Sequence, residues 1–504
     1  MENFENFMLS VNADAKEWLV IGKGPTFRDI EKHNIDDYYS IALNHSIVEI
    51  KAWISHIIDI DVLDVSSDAI LKNAKYLVLP LYPHVNNKAS NKSIIDHFNQ
   101  YPVLKQLDDE GRLLWYNSST SNCCDDRYPV VPVRFFSADA VVSLLAYSGV
   151  KRIRTIGVDG GSNYASAFSY LNESTLLANG HPSFKKQFLA IAKTLEMTGA
   201  KLIPLQLDGP VRVYVGSQAE HVIALKVLEY TIKKNSSCSV EFFPMHLSGI
   251  DIPEPKNYEN RSRTPFSFQR FLIPELNGFT GRAIYLDSDM QVFADITDLW
   301  SRDFEGAEIL SAWSNEQGQR QPQFSVMLMD CKRLNWSVAG IVEGLDREEY
   351  GYKELMSEMV VAKSSAALEF AWNSLEEYTE GETKLVHYTD MNRQPWLSRK
   401  NQLSHLWLAD LKECIHERFM SLGDVVESII SCEVRPSLYL DVVYSGDGVC
   451  YNKFCNMIDR FFIAPHRQIN KKDRLIYKFF RVIIFASIKL DFIFFRRTSL
   501  NAGV

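Results

Sequence analysis

Cysteine is scarce in this chain, which has eight in 504 residues. No two of them are spaced as CxxC, the pattern typical of zinc ribbons and thioredoxin-type redox sites. Eight scattered cysteines are also too few for a disulfide scaffold in a chain of this length. The first twenty residues lack the basic segment and apolar run of a secretory signal, so we expect a reducing, cytoplasmic location.

An excess of positive charge is also absent, since 54 Lys and Arg face 63 Asp and Glu for a formal net charge of -9. Non-specific nucleic-acid binding needs a basic surface, so we expect no nucleic-acid partner. Hydrophobic residues make up 46% and charged residues 23%, which is the composition of a globular protein. The length allows two or three domains.

Short apolar runs alternate with amphipathic stretches over the first two hundred residues. The predicted strands are Trp18–Gly22, Ser40–Leu43, Tyr76–Pro80, Leu113–Tyr116, Ile153–Val158 and Lys201–Leu205. Helices are predicted at Ala138–Ser148 and Phe184–Thr198. This alternation indicates a doubly wound parallel sheet.

A turn-rich linker at Gln206–Pro210 is followed by a second series of strands and helices. Its predicted strands are Val211–Val215, Glu241–Phe243, Ala283–Leu286, Glu308–Ser311, Ser325–Met329 and Lys384–His387. The sequence therefore predicts an α/β fold with two Rossmann-like or GT-A-like domains in tandem and a C-terminal basic amphipathic helix. We place the domains at residues 1–207 and 208–455, and the tail at residues 456–504.

Two carboxylates follow the apolar strand in Arg282–Val292 (RAIYLDSDMQV). Asp287 and Asp289 come at the strand's carboxyl end, where open α/β sheets bind ligands. Carboxylate oxygens suit Mg²⁺ or Mn²⁺, which often share their coordination with substrate phosphates. The pattern alone is equally compatible with two solvated carboxylates in a turn.

Other residues of the second half can complete such a site. Gly216 and Ser217 follow a strand and precede a polar helix start, a common position for a nucleotide. Arg270 stands in an apolar segment, either as a buried ion pair or as a phosphate contact. His387 ends a predicted strand, eight residues before Pro395-Trp396.

Together these motifs, between about Val211 and Asp410, resemble family 8 glycosyltransferases, which are retaining and use nucleotide sugars. The resemblance implies a GT-A fold and a metal held by Asp287, Asp289 and His387. It also places Arg270 near the nucleotide and Gln323 near the transferred sugar.

The family motif after the histidine is only partly kept. Asp390 stands where the family has a glycine, and Gln394, with Arg393 beside it, replaces the lysine that contacts the diphosphate. Glu358 is the nearest candidate for the acidic residue beside the reacting sugar.

The first half has motifs of its own. Gly22-Lys23-Gly24-Pro25 follows the first predicted strand, and its glycines allow the backbone to approach a phosphate or ribose. Asn44 and Asp159 follow two other strands, and His181 comes before a predicted helix.

The order of these motifs resembles family 42 sialyltransferases. The resemblance implies a nucleotide-sugar site, with a CMP-sugar as one candidate donor, formed by Gly22, Gly24, Asn44 and Asp159. It also implies that His181 is the general base. The family has asparagine at the position of Lys23. The alternative is a structural or acceptor-binding module in which His181 caps a helix.

The tail carries nine basic and two acidic residues between Arg467 and Arg497. The basic residues that fall on one helical stripe are Arg467, Lys471, Arg474, Lys478, Arg481, Lys489 and Arg496. Its longest charge-free run, Val482–Ile488, is far shorter than the ~20 residues that span a bilayer. We expect the tail to bind an anionic membrane surface on the cytoplasmic side, or else to pack on its own domain.

These features predict a metal-dependent glycosyltransferase that moves a hexose from a UDP-sugar to a glycan or lipid-linked acceptor in bacterial surface polysaccharide biosynthesis. A bifunctional chain, with a second transferase in the first domain, is the further expectation. Two alternatives remain open. The chain could be a silent nucleotide-sugar-binding scaffold, or a nucleotidyl- or phosphotransferase that uses the same carboxylate pair.

Overall fold

A computed structural model describes most of the chain. The described residues are 1–12, 15–171, 177, 180–264, 266–313, 322–444, 449–467 and 482–492. The chain divides into two compact units. Unit 1 comprises Met1–Val211 and Lys233–Val240, and unit 2 comprises Arg212–Ile232 and Glu241–Val504.

Unit 1 is built on a parallel sheet. Its strands are β1 Glu2–Asn3, β2 Trp18–Ile21, β3 Tyr39–Leu43, β4 Ala52–His56, β5 Ala74–Pro80, β6 Leu113–Ser118, β7 Val130–Val131, β8 Arg152–Ile156 and β9 Lys201–Pro204. Its helices are α1 Phe4–Ser10, α2 Ser46–Glu49, α3 Leu63–Asn73, α4 Pro102–Asp109, α5 Ser137–Tyr147 and α6 Gln187–Thr198. The sheet order is β1-β6-β5-β4-β3-β2-β8-β9, with β7 beside β6, and every pairing is parallel.

The strands of this sheet read as continuous apolar runs because helices cover both faces. All four residues of β2 are buried, and nine residues of α5 are buried. Strand β4 (AWISH) was not predicted because it ends in two polar residues. The structure buries Ser55 and His56 completely, and His56 Nε2 lies 3.0 Å from the Tyr116 hydroxyl oxygen.

The strand order reverses beside β2. The chain runs from β2 through β3 to β6 on one side and returns to β8 on the other. At such a reversal the loops after neighbouring strands diverge and leave a crevice at the carboxyl edge, where ligands of open α/β sheets bind.

Unit 2 contains a mixed sheet and a small three-stranded sheet. Its strands are β10 Val211–Gly216, β11 Val240–Pro244, β12 Arg282–Asp287, β13 Met290–Val292, β14 Ile309–Trp313, β15 Pro322–Asp330, β16 Ser364–Leu368, β17 Ser374–Leu375 and β18 Leu385–His387. Its helices are α7 Val222–Asn235, α8 Ile273–Leu276, α9 Ile296–Trp300, α10 Val338–Asp346, α11 Tyr352–Glu358, α12 Ser404–His416, α13 Leu422–Ile430, α14 Ser437–Val443 and α15 Val449–Asp459, and residues 482–492 are also helical.

The mixed sheet has the order β11-β10-β12-β15-β14-β16. Strand β12 pairs in parallel with β10 and antiparallel with β15. The predicted strand at Lys384–His387 does not join this sheet. It forms β18, which lies between β13 and β17 in the small sheet. The α/β class predicted from the sequence is confirmed.

One sequence prediction falls largely on residues outside the described part. Most of the basic stripe (Lys471, Arg474, Lys478, Arg481 and Arg496) lies there. In the described residues, no helix is long and apolar enough to cross a membrane. Residues 482–492 form a helix in which Ile488 is buried and Asp491 accepts hydrogen bonds from the Tyr439 and Tyr444 hydroxyls.

Candidate metal and donor site

Asp287, Asp289 and His387 come together in unit 2. One potential ligand atom from each lies within 4.8 Å of the other two. The two carboxylates follow from the end of β12, and antiparallel pairing of β13 with β18 places His387 opposite Met290, next to Asp289. The structure thus joins residues that are about a hundred positions apart in the sequence. Two carboxylates and an imidazole are a suitable donor set for a divalent cation.

Asn373 sets the orientation of the His387 ring. Its amide nitrogen donates to the Ser325 hydroxyl (3.1 Å), so its carbonyl oxygen accepts from Nδ1–H of His387 (3.0 Å). The lone pair of the neutral imidazole is then on Nε2, which lies 3.1 Å from Oδ1 of Asp289. Such support from a neighbouring polar group is typical of metal-binding histidines. The residues present therefore fit a metal ion.

Gln394 supports Asp289 from the other side. Its amide nitrogen donates to Oδ2 of Asp289 (3.0 Å) and to the backbone oxygen of Tyr388 (3.1 Å). The glutamine that replaces the family lysine therefore contacts a candidate metal ligand.

Asp287 is supported by two buried side chains that the sequence motifs did not connect. The Tyr285 hydroxyl donates to Oδ1 of Asp287 (2.6 Å), and NH2 of Arg270 lies 3.6 Å from the same oxygen. Arg270 also donates to the backbone oxygen of Phe324 (2.9 Å) and to the Tyr285 hydroxyl (3.2 Å). The guanidinium is thus paired with a carboxylate of the cluster.

Burial and charge shift the pKa values in this cluster. Burial raises the pKa of Asp287, although Arg270 opposes the shift. Burial also disfavours the charged form of His387, but Asp289 and Asp287 outweigh it and raise the pKa of His387. A bound cation would relieve the repulsion between the carboxylates and keep the imidazole neutral.

The loop after β10 lies beside the carboxylates. Gly216 is the register partner of Asp287, and a Cβ on Gly216 would be 2.2 Å from the Tyr285 hydroxyl oxygen. Ser217 is buried, and its backbone N–H and C=O both bond to the Gln269 side chain (2.9 and 3.0 Å). Its hydroxyl oxygen lies 2.8 Å from Nδ1 of His246.

The hydroxyl of Ser288, between the two carboxylates, lies 2.7 Å from Nδ1 of His221. Burial lowers the pKa values of His221 and His246, so both imidazoles are neutral near pH 7. The sequence motifs missed these histidines, Tyr285 and Asn373. Tyr285 could have been found, since it is two residues from Asp287 on one strand and so shares its face. A lone asparagine before a two-residue strand gives no signal.

Three other predicted residues take no part in the hydrogen bonds and ion pairs described above. Gln323 lies in β15 as the register partner of Ala312. Glu358 is exposed at the end of α11, and within the described residues it forms no hydrogen bond or ion pair. Arg393 is exposed, with its Nε 3.6 Å from Oδ2 of Asp390.

In unit 1 the predicted residues lie at the carboxyl edge of the parallel sheet. A Cβ on Gly22 would be 2.1 Å from the backbone oxygen of Gly157, so this glycine allows the loops after β2 and β8 to touch. Gly24 closes the same contact, because its N–H donates to the Gly157 oxygen (2.8 Å). Asp159 accepts hydrogen bonds from the backbone N–H (2.7 Å) and hydroxyl (2.8 Å) of Thr26, which ties the two loops together.

Asn44 follows β3 with a φ of 51° and accepts a hydrogen bond from the Ser137 hydroxyl (3.2 Å). His181 lies between two rings, with centroid distances of 5.5 Å to both Phe135 and Phe136. A 3₁₀ turn at Phe184–Lys186, with Ser183 as its N-cap, leads directly into α6, so the helical segment begins and ends where the sequence predicts it.

Residues 162–337 match the sequence profile of glycosyl transferase family 8. The matched region begins before Val211 and ends before His387, and it contains Gly216, Arg270, Asp287 and Asp289. The match confirms the resemblance to family 8 and shows that the chain contains a glycosyltransferase region.

The chain is also similar to individual proteins. Protein CDI of Arabidopsis thaliana is 26% identical over 233 residues, which are 40% of this chain and 87% of that protein. The glycosyltransferase GlyE of Streptococcus pneumoniae TIGR4 is 16% identical with a TM-score of 0.32, over 42% of this chain and 65% of GlyE. The bifunctional glycosyltransferase WbbM is 10% identical with a TM-score of 0.31, over 79% of this chain and 97% of WbbM. The chain therefore spans just under two thirds of GlyE.

Proposed function

We propose that the family 8 region, together with His387, transfers a hexose from a UDP-sugar to a hydroxyl of a glycan or lipid-linked acceptor. The acceptor would belong to bacterial surface polysaccharide biosynthesis. The observation that carries this proposal is the Asp287, Asp289 and His387 cluster at the carboxyl end of β12. The same three residues would hold Mn²⁺ or Mg²⁺.

The reaction breaks the bond between the anomeric carbon and the diphosphate oxygen and forms a bond from that carbon to the acceptor oxygen. The acceptor hydroxyl loses its proton, and negative charge builds up on the departing diphosphate. When bound, a divalent ion would supply positive charge next to that oxygen. Asn373 and Gln394 keep the imidazole and carboxylate oriented, and Tyr285 and Arg270 hold Asp287.

The first test is transfer and hydrolysis of radiolabelled UDP-glucose and UDP-galactose by the full chain, with Mn²⁺ or with EDTA. Asp289→Ala should lower the metal-dependent rate by about 10³-fold, because charge stabilisation of the leaving group is lost. Asp303→Asn is the matched control, since Asp303 is an exposed carboxylate whose one hydrogen bond within the described part of the chain comes from the Glu305 backbone N–H. Full activity of Asp289→Ala, or undiminished activity in EDTA, would refute the metal assignment.

The same assay separates the alternatives. A scaffold would bind UDP-sugars without consuming them, and a nucleotidyl- or phosphotransferase would move the labelled nucleotide or phosphate instead of the sugar. We favour sugar transfer because both carboxylates lie within the region that matches a glycosyltransferase family.

A second transferase in unit 1 is the other candidate function, with a CMP- or UDP-sugar as its donor and His181 as its general base. It is supported by the crevice beside β2, where the loops that carry Gly22, Asn44 and Asp159 come together. A chain in which Asp287 and Asp289 are both replaced isolates this activity. Residual transfer that disappears with His181→Ala supports two active sites, whereas loss of all transfer in the parent variant argues for one.

For the tail we propose peripheral binding to the inner, anionic face of the cytoplasmic membrane. The helix at residues 482–492 supports this proposal, because Val482, Ile483 and Leu490 are 66%, 48% and 57% exposed. Apolar side chains on a terminal helix next to basic residues suit a lipid headgroup interface.

A further inference from the structure

Within the described residues, Lys23 is a cation without an anionic partner, and it lies at the carboxyl edge of the unit 1 sheet. It lies between Gly22 and Gly24, directly after β2, where the strand order reverses. Its ammonium nitrogen is 4.3 Å from the centroid of the Tyr164 ring. Among the described residues it has no hydrogen-bond acceptor and no carboxylate within ion-pair distance.

Leaving this charge uncompensated has a cost. Burial lowers the pKa of Lys23 to about 8, because the charged amine has lost part of its hydration. Asp159, the carboxylate among the sequence motifs of unit 1, is bonded to the backbone N–H and hydroxyl of Thr26. An anion bound at Lys23 would restore the lost interaction.

Two polar groups at the end of the neighbouring strand β3 are also incompletely bonded. The amide nitrogen of Asn44 has no acceptor within the described part of the chain, although the carbonyl oxygen is bonded to Ser137. His45 is only 7% exposed, and its Nδ1 is buried with no hydrogen-bond partner among the residues that the structure describes. Burial and the neighbouring charge of Lys23 lower the pKa of His45 to about 4. The imidazole is therefore neutral near pH 7, and Lys23 supplies the positive charge here.

We propose that Lys23 binds a phosphate group of a nucleotide-linked ligand at the carboxyl edge of the unit 1 sheet, with the amide of Asn44 as a further donor. The inference rests on the proposal that unit 1 takes such a ligand, and it names the group that is recognised. A lysine ammonium acts as a point charge that suits phosphate oxygens. Phosphate carries more charge than a sugar carboxylate and so better offsets a half-buried ammonium.

The wild-type full chain tests this directly in EDTA, which removes metal-dependent binding in unit 2. Lys23 is modified with pyridoxal phosphate, the product is reduced with borohydride, and the labelled peptides are quantified by mass spectrometry. We expect Lys23 to react faster than exposed Lys32, because an amine with a lowered pKa is more often unprotonated. CMP, UDP or pyrophosphate should slow the labelling of Lys23 about tenfold, whereas cytidine, uridine and acetate should not. Equal protection by nucleosides, or protection by nothing, would overturn the inference.

Variants give a second readout. Lys23→Met keeps the length of the side chain over Tyr164 and removes its charge. It should raise the dissociation constant of CMP or UDP, measured by calorimetry in EDTA, about 10- to 100-fold. Lys32→Met is the matched control, because Lys32 is exposed and pairs with Asp29 at 2.6 Å. If Lys23→Met does not fold by circular dichroism, the wild-type labelling decides.

The outcomes also separate this inference from the proposed function of unit 1. Nucleotide binding that ignores Lys23 in both experiments refutes the phosphate contact and leaves nucleotide recognition standing. Protection by pyrophosphate alone supports the phosphate contact and argues against a nucleotide ligand. Protection by acetate to the same extent would show a carboxylate site and refute the inference.

Discussion

Gln394 stands where the resemblance to family 8 predicts a lysine that contacts the diphosphate. In the structure, Gln394 donates to Oδ2 of Asp289 and to the backbone oxygen of Tyr388. An amide adds no positive charge to a donor diphosphate. It does fix the carboxylate that would bind the metal.

Gln394→Leu should therefore weaken Mn²⁺ binding, because Asp289 loses a hydrogen bond that orients it. Loss of such support typically costs about 10- to 100-fold in metal affinity, which calorimetry can measure. Gln402→Leu, at an exposed position, should leave the affinity unchanged. Unchanged Mn²⁺ affinity in Gln394→Leu would contradict the assigned role.

The position of Gly216 leaves no room for a side chain next to Tyr285. A Cβ there would lie 2.2 Å from the Tyr285 hydroxyl oxygen, the same group that donates to Asp287. Gly216→Ala should lower the free energy of unfolding by about 1–3 kcal/mol, measured with urea, and should also weaken Mn²⁺ binding. Gly209→Ala is the control, because no atom lies within 4 Å of its Cβ position. Equal stability of the two variants would show that Tyr285 moves aside at no cost.

At the scale of elements, helix α5 depends on a buried carboxylate. Oδ2 of Asp139 accepts from the backbone N–H groups of Phe135 (2.7 Å) and Arg134 (3.3 Å) just before the helix. Burial raises the pKa of Asp139 to about 7, although these hydrogen bonds oppose the shift. The carboxyl group is therefore more easily protonated in the folded chain than in the unfolded one, where aspartate has a pKa of about 4.

Because the pKa of Asp139 is higher in the folded chain than in the unfolded chain, its ionisation lowers the free energy of unfolding. The contribution of Asp139 to stability is greatest below pH ~4 and is lost as pH rises to about 7. Asp139→Asn keeps an oxygen acceptor and cannot ionise, so its stability relative to wild type should increase between pH 5 and pH 7.5, by at most roughly 3 kcal/mol. Urea unfolding at both pH values measures this. Asp109→Asn, an exposed position in α4, should differ from wild type by less than ~0.5 kcal/mol at both. A difference for Asp139→Asn that does not grow with pH would refute the argument.

The element that completes the metal cluster is the small sheet. Pairing of β13 with β18 places His387 beside Asp289. The backbone N–H of Tyr388 donates to the backbone oxygen of Asp289 (2.8 Å). Two strands of three residues therefore position the cluster. Their hydrogen bonds are few, so the surrounding packing must hold them in place.

At the scale of the whole molecule, the two units each have a parallel strand pair and have different chemistry at its carboxyl edge. The edge of unit 2 has two carboxylates and a histidine, whereas that of unit 1 has Lys23 and the amide of Asn44, with the Asp159 carboxylate bonded to Thr26. The first arrangement suits a cation and the second an anion.

The terminal helix gives a prediction at this scale. Replacing Val482, Ile483 and Leu490 together by serine should lower binding to anionic vesicles at least tenfold, because about 1.5–3 kcal/mol is lost per buried apolar side chain. Co-sedimentation measures the binding, which should also weaken with salt. Leu9→Ser, at a position that is 84% exposed in unit 1, should bind like wild type. Undiminished binding of the triple variant would show that the exposed apolar side chains do not contact the lipid.

The sequence by itself determined the α/β class, most of the strands and the position of Asp287 and Asp289 at a sheet edge. Apolar runs and their ends are local features, and the carboxyl ends of parallel strands meet at one edge whatever the details of packing. The same reasoning identified the two carboxylates and noted His387 at a strand end, and the family resemblance joined His387 to them as a metal ligand.

Only the tertiary structure decided which side chains bond to the candidate metal ligands at the sheet edge of unit 2. Strand β4 escaped prediction because its polar end is buried by packing, not by its own sequence. The bonds from Asn373 to His387, from Gln394 to Asp289 and from Arg270 to Phe324 join positions 14 to 105 residues apart. Hydrogen bonds over such separations depend on how strands and loops pack, and no periodicity along the chain encodes them. The same holds for Lys23. That no carboxylate of the described residues lies within ion-pair distance of it depends on the packing of the loops around it.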